Sequence, residues 1–172
     1  MKNCGKKKLW IVMVVSIIIL LIIDQLAKLG AFLYLQQESK VILSGILKLG
    51  YVKNTGVAFS LIQNNPFLIM LMEIIVLTFV IRFLRLQYNR MNLGTKIALT
   101  FILAGGTSNF IDRIFHRAVI DYIDISPLIA HFPIFNLADT YIVLGLLLFI
   151  VSFAIYGVSQ TKSINTKKSV DL

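Results

Sequence analysis

The sequence predicts a membrane protein of the all-α class, a bundle of four transmembrane helices, and three observations carry that prediction. Hydrophobic residues fill 58% of the 172 positions and charged residues only 15%, a balance far from that of soluble domains. The apolar residues gather into four runs separated by polar segments. The lysines and arginines stand at the flanks of those runs, on alternate connections.

The first run extends from Leu9 to Ile23 with Ser16 as its one polar interruption, then continues through Asp24, Gln25, Leu26, Ala27 and Lys28. Its uncharged part rises roughly 22 Å, so in a hydrocarbon core of about 30 Å Asp24 falls in the outer portion. With no small-residue cleavage site after the run, it is expected to stay as a first helix over 9–29. The second helix is predicted over 67–86, the third over 95–110 and the fourth over 136–158, all in one membrane domain, 1–172. The third is the least apolar, with Thr100, Gly105, Gly106, Thr107 and Ser108. Small residues let helices approach closely, which places it in the bundle centre.

Lys2, Lys6, Lys7 and Lys8 precede the first helix, while Arg82, Arg85, Arg90 and Lys96 surround the connection from second to third. Lys162, Lys167 and Lys168 follow the fourth. All these flanks lie on one side of a four-helix topology, and the excess of basic residues makes that side the cytoplasm. Both termini are then inside, and segments 30–66 and 111–135 are outside. The net charge of +9 serves orientation here; the basic residues do not interleave with aromatics on a polar face, so no nucleic-acid partner is expected. Cys4, the single cysteine, excludes an internal disulfide and a CxxC metal site.

This topology gathers Asp24, Glu38, Asp112, Asp121, Asp124 and Asp139 at the outer face, leaving Glu73 and Asp171 elsewhere. Carboxylates beside hydrocarbon are costly unless paired or functional, so the cluster marks a site. Asp24 and Lys28, four apart, are read as an ion pair that lets the first helix end in the interface. Asn109, Asp112 and Arg113 share a helix face, where Asp112 and Arg113 are suited to orienting loops or binding substrate. Asn136 and Asp139 open the fourth helix, where amides favour negative charge and Asn136 is suited to capping. Either Asp121 or Asp124 reaches Asp139 if the chain folds back over the bundle.

Two carboxylates in contact share a proton; the ionised one deprotonates water and the protonated one hydrogen-bonds the scissile carbonyl. Other hydrolytic designs find less support. His116 and His131 do not form a HExxH motif, no GxSxG elbow is present, and no serine is evidently coupled to Lys28. No metal and no cofactor is expected.

Five segments carry a family resemblance: Asp24-Gln25-Leu26-Ala27-Lys28, Asn54-Thr55-Gly56-Val57-Ala58-Phe59-Ser60, Asn109-Phe110-Ile111-Asp112-Arg113, Val119-Ile120-Asp121-Tyr122-Ile123 and Phe135-Asn136-Leu137-Ala138-Asp139. In this order the sequence resembles lipoprotein signal peptidase, signal peptidase II. The resemblance implies that Asp121 and Asp139 are catalytic, that Asn54, Asn109, Arg113 and Asn136 line the site and hold substrate, and that Asp24, Lys28 and Asp112 support the structure. It implies a bacterial cell-membrane endopeptidase, a monomer among membrane lipids, cutting prolipoproteins just before a diacylglyceryl-modified cysteine. It also implies a small extracytoplasmic β-cradle, for which the β-prone runs and glycines between Val41 and Ser60 are suited. One departure is visible, Ser108 where the family usually has glycine before the asparagine.

Two readings from other classes compete. A small proton-coupled transporter would use Asp24, Glu73 and Asp139 as a polar relay, with Glu73 about 10 Å into the second helix. A structural membrane subunit would offer its outer loops to a partner. Relay residues spread through the membrane depth, whereas these acids gather at one face, which favours the peptidase.

Overall fold

The structure, a computed structural model, describes residues 2–56 and 65–170, with side chains placed for 7–56, 65 and 67–155. Val57 to Ser60 of the second motif, and Asp171, lie outside the described residues. The elements in order are α1 (Lys2–Tyr34), β1 (Lys40–Leu43), β2 (Leu47–Asn54), α2 (Pro66–Gln87), α3 (Leu93–His116), β3 (Val119–Asp124) and α4 (Leu137–Val170).

Spans Lys7–Tyr34 of α1, Phe67–Gln87 of α2 and Leu137–Ile155 of α4 are long and apolar enough to cross a membrane. Their apolar side chains, such as Ile18, Ile75 and Leu147, stay largely exposed, as suits surfaces solvated by lipid. The fold is thus mostly helical, with a small sheet. α3 packs against α1, α2 and α4 and buries Ala98, Leu99, Thr100, Leu103, Ala104, Gly105, Ser108, Asn109, Asp112 and Arg113. The central place expected of the third helix follows from its small residues. A Cβ on Gly105 would overlap the Ala138 carbonyl oxygen of α4, and one on Gly145 would lie 2.8 Å from the Ala98 carbonyl oxygen of α3. The two backbones approach so closely because nothing stands between them.

Helix ends follow local chemistry. Asn65 caps α2 by accepting from the Leu68 N–H, with Pro66 in the first turn, and Asn92 caps α3 by accepting from the Thr95 N–H at 2.7 Å. α3 runs beyond the expected limit of residue 110 to His116 and is capped by Arg117, whose left-handed φ of 54° lets its N–H return to the Arg113 carbonyl. Asp112 and Arg113 therefore stand on a rigid helix rather than opening a loop. α1 likewise continues through Asp24 and Lys28 to Tyr34, beyond its expected end at residue 29.

The sheet is antiparallel in the order β1-β2-β3. Gly45 takes a φ of 72° in the turn between β1 and β2, a conformation that favours glycine. The expected sheet between Val41 and Ser60 is present in β1 and β2, but a third strand joins it from the segment that carries Asp121. Val52 pairs with Asp121 and Asn54 with Val119. Ile120 and Tyr122 pack with Ala31 on the end of α1, which seats the sheet on the bundle. A second cluster of Met13, Leu84, Tyr88, Leu99 and Leu103 closes the opposite end.

Candidate active site

β3 and the N-terminus of α4 meet because the chain between them folds back. The Phe135 N–H donates to the Ile123 carbonyl at 3.0 Å, and the Ile123 N–H returns to the Phe135 carbonyl at 2.8 Å. That bridge brings Asn136 beneath β3. Asn136 is fully buried, and its side-chain oxygen accepts from the Asp139 N–H at 2.8 Å, while its own N–H donates to Asp139 Oδ2 at 3.3 Å. This reciprocal cap satisfies two amides of the helix start. With Oδ1 committed there, Asn136 Nδ2 is left to donate to Asp121 Oδ1 at 2.7 Å. The expected capping role and the expected site role belong to one side chain.

Each aspartate has a second amide partner. Asn54, at the end of β2, donates from Nδ2 to Asp121 Oδ2 at 2.9 Å. Asn109, on α3, donates from Nδ2 to Asp139 Oδ1 at 2.8 Å. Three of the four residues expected to line the site thus hold the two carboxylates. Burial raises the Asp121 carboxyl to about 6, opposed by the Asn54 hydrogen bond and assisted by the charge of Asp139. Asp124, three residues on, behaves as an ordinary surface carboxylate: its oxygen accepts from the Ser126 N–H at 2.8 Å, and the Ser126 hydrogen bonds lower its pKa.

Beneath the pair lies a buried charged layer. Lys28 Nζ sits 2.7 Å from Asp24 Oδ2, 2.9 Å from Asp112 Oδ2 and 2.9 Å from Asn109 Oδ1. The pair read from spacing is therefore part of a triad that joins α1 to α3, almost wholly removed from solvent. Its carboxylates also take backbone donors: Asp24 Oδ1 accepts from the Ala138 N–H at 3.0 Å and Asp112 Oδ2 from the Ile120 N–H at 3.1 Å. These two amides flank the candidate residues, one before Asp139 and one before Asp121. Ser108, the departure from the family pattern, is buried and donates to Asp24 Oδ2 at 2.6 Å, while Gln25 Nε2 donates to Ser108 Oγ and to Asp112 Oδ1, both at 2.9 Å. The serine adds a hydrogen bond to the layer.

Arg113, the fourth residue expected to line the site, stands apart from both aspartates in its hydrogen bonds. Its guanidinium pairs with Glu73 of α2 through Nη1 and donates to the Gly56 carbonyl at 3.2 Å through Nη2. Glu73, which the sequence placed only in the rival relay and gave no catalytic role, is thus joined to Arg113.

Fold and site define a helical membrane protein with an amide-held carboxylate pair, Asp121 buried and Asp139 half-buried, where a small sheet meets the bundle. Residues 16–155 match the family model described as signal peptidase (SPase) II. The chain is 34% identical over 147 residues to a lipoprotein signal peptidase of Streptococcus pyogenes serotype M5 (strain Manfredo), covering 85% of this chain and 93% of that one. It is 33% identical over the same length to the corresponding protein of serotype M3 (strain ATCC BAA-595 / MGAS315), with the same coverage. Two solved structures described as bacterial membrane enzymes are similar. One has a TM-score of 0.75 at 27% identity, covering 83% of this chain and 87% of the other, and the second has 0.74 at 26%, covering 83% and 92%. The chain belongs to the signal peptidase II family, and it is a peptidase of the membrane.

Proposed function

We propose that this chain is an aspartic endopeptidase that removes the signal peptide from diacylglyceryl-modified prolipoproteins, cutting just before the lipidated cysteine. The observation that carries the reading is Asn136, whose side-chain and main-chain N–H groups bind Asp121 and Asp139. A pair held in this way shares one proton. The ionised carboxylate takes a proton from water, and the resulting hydroxide attacks the scissile carbonyl carbon as the protonated carboxyl donates to the carbonyl oxygen. Collapse of the tetrahedral intermediate breaks the C–N bond. The amine of the cysteine leaves with a proton from the pair, and the signal peptide departs with a new carboxylate.

Asn54, Asn109, Asn136 and Arg113 hold the reacting groups and substrate, while Asp24, Lys28 and Asp112 support them. We read all four helices as one domain, 1–172, crossing the membrane, with α3 the least apolar because its neighbours surround it. Both termini are cytoplasmic and the sheet rests on the extracytoplasmic surface, where the scissile bond of a substrate anchored by its acyl chains lies. A monomer among lipids suffices for this arrangement, since both aspartates come from one chain. The membrane is the bacterial cell membrane.

The test is cleavage of a purified diacylglyceryl-modified prolipoprotein by the protein in detergent, followed by gel shift. Cleavage of the lipidated form and not of the unlipidated form is the expected result. Equal cleavage of both, or of neither, would refute the proposal.

A further inference from the structure

α2 is apolar from Phe67 to Ile81 except for Glu73 and Thr78, and a carboxylate in such a helix is costly without a partner. Glu73 finds one in Arg113, forty residues away on α3; both side chains are mostly buried, at 21% and 8% exposure. The bonding is economical. Glu73 Oε1 takes Nη1 of Arg113, while Oε2 is buried and has no hydrogen-bond partner among the described residues. The polar bonding of Glu73 that the structure describes is thus directed at Arg113.

Arg113 passes this constraint toward the carboxylate pair. Its other nitrogen, Nη2, donates to the Gly56 carbonyl, and the Gly56 N–H donates to Asn54 Oδ1 at 3.0 Å. With its oxygen engaged, Asn54 presents Nδ2 to Asp121 Oδ2 at 2.9 Å. A planar guanidinium held at one end by a carboxylate directs its remaining donors with little freedom, whereas an unheld one swings.

We propose that Glu73 is a positioning residue of the site, fixing the Arg113 guanidinium on the Gly56 carbonyl and thereby the turn that aims Asn54 at Asp121. It acts through Arg113 and does not itself touch the reacting bond. The inference rests on the peptidase reading above, and it gives a role to an acidic residue that would otherwise suggest a proton relay.

Two substitutions separate this role from helix packing. Glu73→Met fills the same space without an oxygen and suits hydrocarbon, so it inserts. Loss of a hydrogen bond between charged groups lowers kcat/KM for the lipidated substrate by about tenfold or more. Glu73→Gln keeps an oxygen for Arg113 and restores most of that loss. Placed in an Arg113→Lys background, Glu73→Met costs less than about twofold further, because the fork it holds is already gone. Thermal unfolding of each variant in detergent is measured alongside, and kcat/KM is compared at a temperature where all remain folded, because Glu73→Met leaves the buried guanidinium without its carboxylate and lowers the unfolding temperature.

Wild-type kcat/KM in Glu73→Met would overturn the proposal, as would a loss that multiplies fully in the Arg113→Lys background. A Glu73→Gln variant as impaired as Glu73→Met would also overturn it. Failure of the wild-type protein to cleave is a different outcome, visible before any variant is compared, and it would refute the peptidase reading on which this one rests.

Discussion

Asn136 donates a 2.7 Å hydrogen bond to Asp121 from the same side chain whose oxygen caps the helix that begins at Asp139's turn. The relationship makes the two aspartates one unit, since any shift of the cap moves both. Replacing aspartate by asparagine keeps shape and removes proton exchange. Asp121→Asn and Asp139→Asn should therefore each abolish cleavage in properly inserted protein, and the double variant should be about as inactive as either alone. Asp124→Asn should keep substantial activity, because Asp124 bonds Ser126 and not the pair. Activity in Asp121→Asn together with loss in Asp124→Asn would move the assignment from Asp121 to Asp124.

The raised pKa of Asp121 has a consequence for stability. A carboxyl moved from 3.8 to about 6 binds its proton more tightly folded than unfolded. Its contribution is full below pH 4 and is lost as pH rises through about 6, a change of a few kcal/mol at most. Wild-type protein in detergent should lose thermal stability relative to Asp121→Asn between pH 4 and pH 7. Asp139 interacts with this group, so the measured slope belongs to the pair. A difference between the two proteins that stays constant across this range would contradict the burial of Asp121.

Lys28 neutralises two carboxylates and also orients Asn109. Lys28→Met leaves Asp24 and Asp112 facing each other unpaired in a buried layer, at a cost of about 3–5 kcal/mol. Unfolding of this variant should occur at markedly lower temperature, with activity lost as Asn109 loosens from Asp139. Asp24→Asn and Asp112→Asn, which remove one charge each, should fall between it and wild type. Wild-type unfolding and turnover in Lys28→Met would show that the layer supports nothing.

How much of this was legible in the sequence depends on the range of the interaction. Apolar runs mark α1, α2 and α4 because hydropathy is a property of consecutive residues, and the Asn136 cap is legible because its partner is three residues away. The Asp24 and Lys28 pairing is equally local, but its third member, Asp112, comes from another helix whose rotation no spacing reports. Arg113 and Glu73 are hidden for the same reason. β3 escaped because Asp121 and Asp124 suggested a polar loop, although Val119, Ile120 and Ile123 supply the β-branched residues of a strand. α3 outran its predicted end because its last turns exchange hydrophobic residues for Asn109, Asp112 and Arg113, which are paid in hydrogen bonds rather than in lipid contact.

Orientation can be read directly by cysteine labelling in cells, after replacing Cys4. Single cysteines at Gly45, in the turn between β1 and β2, and at Ala130, between β3 and α4, should react with an impermeant reagent from outside. Positions Asn89 and Lys167 should react only after the membrane is opened. The basic flanks require this arrangement. Labelling of Asn89 from outside would invert the topology and remove the sheet from the surface where lipidated substrates present their scissile bond.

The close approach of α3 and α4 provides the last prediction, because neighbouring glycines on α3 face different partners. At Gly105 an added Cβ would overlap the Ala138 carbonyl oxygen and lie 2.8 Å from Ile142 Cγ1. A backbone oxygen in a helix cannot step aside, so α4 must move as a body, and Asn136 and Asp139 move with it. At Gly106 the added Cβ would meet Leu77 Cδ2 at 3.0 Å, the free end of a flexible side chain, which yields by a small rotation. Gly105→Ala should therefore lose about 1–3 kcal/mol of stability, as overpacked cores do, and most of its activity. Gly106→Ala should stay near wild type in both, and it gains a little from alanine's better helix propensity. The comparison isolates geometry, since the two substitutions add the same methyl group to consecutive residues of one helix. Equal tolerance of both would mean that α3 and α4 stand further apart than the structure has them, and that the cap holding Asp139 beside Asp121 is set by something other than this contact.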